Sequence, residues 1–148
     1  MDVSEFRSKV KANIKLSVDG KDFVVKEVVR FRFDDGTFYI KCFLSEGYVF
    51  ADDLNENMFL LVTEAKAPFQ FPFPEELAFE GKEFKFLYTA HAVAEDIQGE
   101  EVFKKGDGER FWDYKAKDNS YLSLGIEDNT QERLDFYGQI ISNDAVKI

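Results

Sequence analysis

Three aromatic residues in the second half of the chain, Trp112, Tyr114 and Tyr121, have the side chains best suited to bind a partner. Tryptophan and tyrosine combine a large apolar area with a polar group, and both are enriched at binding hot spots. Because side chains alternate along a strand, Trp112 and Tyr114 share one face, opposite Phe111 and Asp113. If that face is exposed it predicts a protein-binding surface, and if it is covered it predicts core packing.

A second candidate site lies in an acidic segment, which contributes Glu100 and Glu101 as binding residues. Calcium requires about six to eight oxygen ligands, and Glu95, Asp96 and Asp107 add carboxylates nearby. The spacing does not match an EF-hand loop, and acidic residues are also common in turns because they bond the local backbone. We therefore expect no metal here.

Recognisable catalytic patterns are absent from the sequence. It has no Gly-x-Ser-x-Gly elbow, no glycine-rich phosphate loop, no Cys-x-x-Cys pair and no His-Glu-x-x-His helix. The single histidine, His91, and the single cysteine, Cys42, both fall in apolar strands, which is typical of structural residues. A carboxylate pair suited to glycoside chemistry depends on the fold and stays open. We expect no cofactor, and these patterns favour a protein that is not an enzyme.

Charge and composition restrict the class of partner. Of 148 residues, 19 are basic and 29 acidic, and residues 75–148 carry a net charge of −8 against −2 for residues 1–74. An acidic surface repels phosphate backbones, so we expect no nucleic acid partner. The amino terminus lacks a signal-peptide pattern and no apolar run reaches membrane-spanning length, which predicts a cytoplasmic protein with no direct membrane insertion.

The elements that position these residues are predicted to be strands. Aromatic residues make up 16% of the chain, and 17 residues are phenylalanine, which suits pleated, half-buried sheets. Several short alternating segments separated by turn residues predict an all-β fold, either a sandwich or partly open barrels. Val3, Phe6 and Val10 recur at helical spacing after Ser4, a candidate cap, and predict a short amino-terminal helix.

A repeat organises the strands. Residues 18–23 (VDGKDF) recur as residues 79–84 (FEGKEF), and Asp19-Gly20 predicts a hairpin turn. An aromatic pair, Phe38-Tyr39, recurs as Phe111-Trp112, and Tyr48 and Tyr121 each lie ten positions after the first member of their pair. We expect two related antiparallel β units. The predicted divisions are a helix in residues 1–13, a first unit in residues 14–66, a Pro/Phe-rich connector in residues 67–76, and a second unit in residues 77–148 with an acidic insert at residues 95–109.

Residues 108–114 (GERFWDY), 121–124 (YLSL) and 135–138 (DFYG) resemble an uncharacterised bacterial family, the domain of unknown function DUF4178. The shared features are a Trp-x-Tyr strand, a following Tyr-Leu-Ser strand and a later Tyr-Gly. The resemblance implies an all-β fold and an accessory role in a bacterial stress or membrane-associated system. It brings no established active site.

Three functions follow from these observations. The first is an interaction or accessory module that binds a protein. The second is a small β domain that binds an apolar ligand in a phenylalanine-lined cavity between the repeats. The third is a hydrolase of unrecognised type.

Overall fold

The computed structural model describes residues 1–53, 55–100 and 102–148, and it has an all-β fold with one short α-helix, as predicted. The helix α1 spans Val3–Lys9, and two 3-10 turns span Ser45–Gly47 and Asn143–Ala145. The strands are β1 (Lys15–Val18), β2 (Lys21–Phe33), β3 (Phe38–Leu44), β4 (Tyr48–Asp53), β5 (Met58–Ala65), β6 (Glu76–Phe79), β7 (Lys82–Gly99), β8 (Gly108–Ala116), β9 (Ser120–Glu127), β10 (Asp135–Ile141) and β11 (Val146–Lys147).

The helix begins two residues earlier than a Ser4 cap requires. Asp2 is the cap, and its carboxylate accepts a hydrogen bond from the backbone N–H of Glu5 at 2.8 Å. This satisfies one of the free donors of the first turn. Val3 and Phe6 are fully buried, so α1 packs its apolar side on the outside of the sheet.

Eight strands form one closed antiparallel barrel, in the order β2-β3-β4-β5-β10-β9-β8-β7. The barrel closes where β2 pairs with β7, from Glu27 opposite Gly99 to Phe33 opposite Ala92. The sequence predicted a sandwich or partly open barrels, one for each half of the chain. Instead, each half contributes four strands to a single barrel.

The two halves of the chain cross the sheet in the same order. Strands β1 to β5 are successive neighbours, and so are β6 to β10, while the β2–β7 and β5–β10 pairs join the halves. Each half opens with a tight hairpin whose turn residues, Asp19-Gly20 and Glu80-Gly81, all have positive φ. A common origin of the two halves as duplicated units stays a prediction.

Apolar clusters cover the outer wall of the barrel on two sides. On one side, α1, β1 and β11 pack over β2 to β5, and the cluster includes Phe6, Phe50 and Phe59. On the other side, β6 and the connector pack over β8 and β9, where Phe69 and Phe73 contact the wall. Strands of this barrel are therefore covered on both faces for much of their length.

The two hairpin glycines yield the first prediction. Gly20 has a φ of +78° and Gly81 a φ of +73°, and an added Cβ meets nothing within 4 Å at either site. Alanine at either position should therefore lower the free energy of unfolding by about 1 kcal/mol through backbone strain alone. Urea denaturation measures this loss. Asparagine is the matched control, because it tolerates positive φ, and Gly20→Asn should cost less than Gly20→Ala. Equal stability of the alanine variants and the parent protein would contradict the prediction.

Candidate functional site

The barrel interior holds a cavity of about 740 Å³. Side chains at alternate positions of each strand face it, such as Phe111 and Asp113 on β8, while Trp112 and Tyr114 face the outer wall. This volume is in the range that drug-sized ligands occupy in proteins.

One end of the barrel is covered by residues that follow β7. Phe103 packs against the inward rings of Phe31 and Phe43, with ring centroids 5.3 and 5.4 Å apart. Its backbone is held by Glu27, a fully buried carboxylate that accepts hydrogen bonds from the N–H groups of Val102 at 2.6 Å and Phe103 at 3.3 Å. A buried acceptor fixes this segment against the barrel end.

A buried lysine lies beside this covered end. Lys41 on β3 is 5% exposed, and its Nζ lies 3.6 Å from a carboxylate oxygen of Glu109 on β8. The Tyr39 hydroxyl donates to the same carboxylate at 3.4 Å. The Lys41 ammonium also lies 4.3 Å from the ring centroid of Phe136. The ion pair and the ring offset part of the cost of burying the ammonium.

A second carboxylate, Asp113, faces the cavity farther from the covered end. It accepts hydrogen bonds from the hydroxyl of Ser123 at 2.6 Å and from the hydroxyl of Tyr121, and the hydroxyl of Tyr88 is a third neighbour. Burial raises the pKa of Asp113 to about 6, against the lowering effect of these hydroxyls. Burial also raises the pKa values of Tyr88 and Tyr121, which stay protonated donors near neutral pH.

The opposite end of the barrel is the mouth of the cavity. Its rim combines the exposed polar residues Asn55, Glu56 and Lys115 with the apolar side chains of Met58 and Leu87. Leu87 is 45% exposed and sits at a bulge, because its neighbours Phe86 and Tyr88 pair with successive residues of β8. A bulge at a barrel rim redirects a side chain out of the regular alternation.

The helix α1 reaches this rim through an ion pair. The Arg7 guanidinium donates to both carboxylate oxygens of Asp52, at 2.7 and 3.0 Å, and to the carbonyl of Phe38 at 2.8 Å. Burial raises the pKa of Asp52, and the hydrogen bonds from Arg7 and from the Ile40 backbone oppose that shift. A bidentate pair of this kind fixes orientation, so α1 is locked to β4 beside the mouth.

The chemical capacity of the site is acid–base and polar recognition. A carboxyl group whose pKa lies near 6 can exchange a proton near neutral pH and can also hold a cationic or donor group. Among the described residues, no group of three or more His, Cys, Asp or Glu side chains is arranged to hold a metal ion. Away from the rim, the polar side chains that face the cavity include the carboxylates of Glu109 and Asp113, the Lys41 ammonium and the hydroxyls of Tyr39, Tyr88 and Tyr121.

The candidate residues from the sequence that the structure describes lie in three different places. Tyr121 faces the cavity, and Tyr114 is fully buried in the outer wall, where its hydroxyl donates to the carbonyl of Pro74 at 2.7 Å. Trp112 is half-buried on the same outer wall beside Phe71 and Phe73. Glu100 is exposed and its N–H donates to the Lys26 carbonyl at 3.0 Å, while Glu101 lies outside the described residues. The barrel keeps Trp112 and Tyr114 on one wall and separates them from Tyr121 and Glu100.

Sequence reasoning missed the cavity residues Lys41, Glu109 and Asp113. A usable signal existed, because Lys41 and Asp113 each interrupt an otherwise apolar and aromatic strand at an alternating position. Such charges in a covered strand indicate an interior pair or a ligand site. Cys42, on the opposite face from Lys41, is fully buried, and burial raises the pKa of its thiol.

His91 lies outside the cavity, on the outer face of β7. Its Nδ1 lies 3.0 Å from a carboxylate oxygen of Asp34, and its Nε2 lies 2.7 Å from one of Asp128. These hydrogen bonds raise the pKa of the imidazole. The imidazole ring thus connects the β2–β3 turn to the chain after β9 on the outside of the barrel wall.

Comparison with known proteins gives a family. Residues 11–142 match the family described as a domain of unknown function (DUF4178). This chain belongs to that family. A search of curated proteins and a search of solved structures found no significant match. No helix in the described part of the chain is long and apolar enough to cross a membrane.

The pKa of Asp113 yields a stability prediction. In the folded protein the Asp113 carboxyl keeps its proton up to about pH 6, whereas in the unfolded chain it loses the proton near pH 4. The protonated carboxyl therefore stabilises the folded state fully below pH 4, and this contribution is lost as the pH rises to 6. Asp113→Asn removes this dependence. The unfolding free energy of the variant minus that of the parent should therefore rise by roughly 3 kcal/mol between pH 4 and pH 7.5. Urea unfolding across this range measures the difference.

A control with the opposite sign is Asp118→Asn. Hydrogen bonds from the backbone and side chain of Ser120 and from Lys82 lower the pKa of Asp118 to about 2, so its contribution is lost as pH falls below 4. The difference between this variant and its parent should change below pH 4 and stay constant from pH 5 to 7.5. A flat difference for Asp113→Asn would contradict the interior carboxyl assignment.

The single tryptophan reports on the outer wall. Phe71 is 62% exposed and its ring centroid lies 5.5 Å from that of Trp112. Removing the ring in Phe71→Ala should shift Trp112 emission to longer wavelength and increase its quenching by acrylamide, because the indole gains contact with water. Val102→Ala, which removes a 63% exposed side chain elsewhere, is the control and should leave both signals unchanged. An emission spectrum identical in the two variants would refute the packing of Phe71 on Trp112.

Proposed function

We propose that this protein binds a small, mainly apolar molecule inside its barrel. The observation that carries the proposal is the cavity of about 740 Å³, enclosed by eight paired strands and covered at one end by Phe103. Eight-stranded barrels are just wide enough to hold one small ligand in their interior. A cavity with one open end provides both an enclosed site and an entry path.

The lining supports an apolar ligand with a few polar groups. Aromatic and aliphatic side chains supply most of the wall, including Phe111, Phe136, Leu60, Val49 and Val62. Burial of an apolar ligand against these side chains would stabilise the complex by roughly 25 cal/mol per Å² of apolar surface removed from water. The polar groups are few and grouped, which is how ligand sites combine affinity with orientation.

Binding is a better match than hydrolysis to the placement of the carboxylates. Glu109 is occupied by Lys41 and Tyr39, and Asp113 by hydroxyl donors. A hydrolytic pair requires one carboxyl group free to act on water or substrate. Recovery of the bound molecule unchanged, by mass spectrometry, supports a carrier, whereas conversion of it supports the hydrolase.

A protein partner is the second candidate, supported by the exposed ring of Phe71 beside the half-buried Trp112. These aromatics border a shallow depression with Arg110, Ile126 and Gln131. A mixed aromatic and polar surface of this kind is typical of interaction hot spots. A protein-binding surface at this place would account for the accessory role that the family resemblance implies.

The ligand-binding proposal is tested with N-phenyl-1-naphthylamine, a neutral apolar probe that fluoresces strongly away from water. We expect saturable binding at one site per chain. Leu60→Trp places a larger side chain in the cavity and should weaken probe binding at least tenfold, because the added ring occupies the ligand volume.

The matched control is Val24→Trp, which adds the same ring at a 49% exposed position outside the cavity. It should bind the probe like the parent protein, and thermal melts establish that both variants are folded. Absence of saturable binding, or equal binding by Leu60→Trp and Val24→Trp, would refute an interior ligand site.

A further inference from the structure

Asp113 is a buried charge-bearing group that lacks an ionic partner. It is 4% exposed, and no lysine, arginine or histidine of the described chain lies within ion-pair distance of it. Other buried charges have ionic partners, since Lys41 pairs with Glu109, Asp52 with Arg7 and Asp135 with Arg133. A buried carboxylate without a counter-ion is costly, and it is kept where a ligand or a reaction uses it.

The surroundings of Asp113 leave room for one more donor. A carboxylate accepts about four hydrogen bonds, and the hydroxyls of Tyr121, Ser123 and Tyr88 account for three. Tyrosine hydroxyls stabilise the negative charge but do not neutralise it. The aromatic rings of Tyr88 and Phe111, with centroids 6.1 Å apart, stand beside the carboxylate and also suit a cation.

The position of Asp113 in the cavity defines the shape of a ligand. Asp113 and Glu109 are four residues apart on the same face of β8, which separates them by roughly 13 Å along the strand. Phe111 lies between them, and Asp113 is the one nearer the mouth. A ligand with its polar head at Asp113 therefore extends an apolar body past Phe111 toward Phe136.

We infer that the barrel selects amphiphilic primary amines, with the ammonium group at Asp113 and the hydrocarbon chain in the phenylalanine-lined interior. This inference rests on the proposed ligand-binding function and specifies its ligand class. The net negative charge of the interior carboxylates disfavours fatty acids of the same length, since the Lys41 ammonium is already paired with Glu109.

The test uses three ten-carbon probes that differ only in the head group: decylamine, 1-decanol and decanoate. Each displaces N-phenyl-1-naphthylamine from the parent protein at pH 7.5, below its aggregation concentration. Decylamine should act at a concentration at least tenfold lower than decanoate, with decanol between them, because a charge-assisted hydrogen bond adds to the same chain burial.

Two variants assign the preference to one carboxylate. Asp113→Asn should weaken displacement by decylamine about tenfold and leave decanol within twofold. Glu83→Gln removes an equal charge from an exposed position of β7 that does not line the cavity, and it should leave both unchanged. Equal potency of decylamine and decanoate, or an amine preference that survives Asp113→Asn, would overturn the inference.

If the Asp113→Asn variant fails to fold, a pH series on the parent protein tests the same inference. The titratable groups that face Asp113 are Tyr88 on β7, Tyr121 on β9, Tyr39 on β3 and Glu109 on its own strand. Protonation of Asp113 should raise the decylamine concentration for half-displacement about tenfold from pH 7 to pH 5, while decanol stays constant. A flat decylamine profile counts against the inference. Loss of all probe binding refutes both proposals, whereas probe binding without an amine preference refutes only this one.

Discussion

The pairing of β2 with β7 is the constraint on which the rest of this structure depends. These are the two longest strands, of 13 and 18 residues, and each also pairs with a hairpin partner and with a barrel neighbour. Without their mutual ladder, residues 27–33 of β2 and residues 92–99 of β7 would be sheet edges with unpaired backbone groups. Closure converts an open sheet into a wall around a cavity. It also brings the chain after β7 over the barrel end, where Glu27 holds Phe103 in place.

The interior of the barrel combines two opposing requirements. Its apolar side chains favour burial, whereas Lys41, Glu109 and Asp113 carry a desolvation cost that partners only partly offset. Lys41 and Glu109 neutralise each other, but Asp113 is stabilised by hydroxyls alone. That difference separates a structural pair from a group available to a ligand. Tyr114 and Tyr121 are also buried, and each hydroxyl donates to a polar acceptor, which offsets the cost of burying it.

Much of the strand order along the chain was predictable because it is local. The turns at Asp19-Gly20 and Glu80-Gly81 follow from residues that accept positive φ, and alternation placed Trp112 with Tyr114 and apart from Phe111. The helix was predictable from its apolar spacing, but its cap was misplaced at Ser4, because several residues near the start of the chain can cap and the barrel wall selects where α1 begins.

The sequence by itself therefore determined an all-β chain, its hairpins and the alternation within each strand, since turn chemistry and side-chain period act over a few residues. Only the tertiary structure decided that both halves share one barrel, because the β2–β7 pairing joins residues distant along the chain. It also decided which face of β8 is the interior. Both faces of that strand are covered, by the cavity at Asp113 and by the connector at Trp112, so alternation separates the two faces without telling inside from outside.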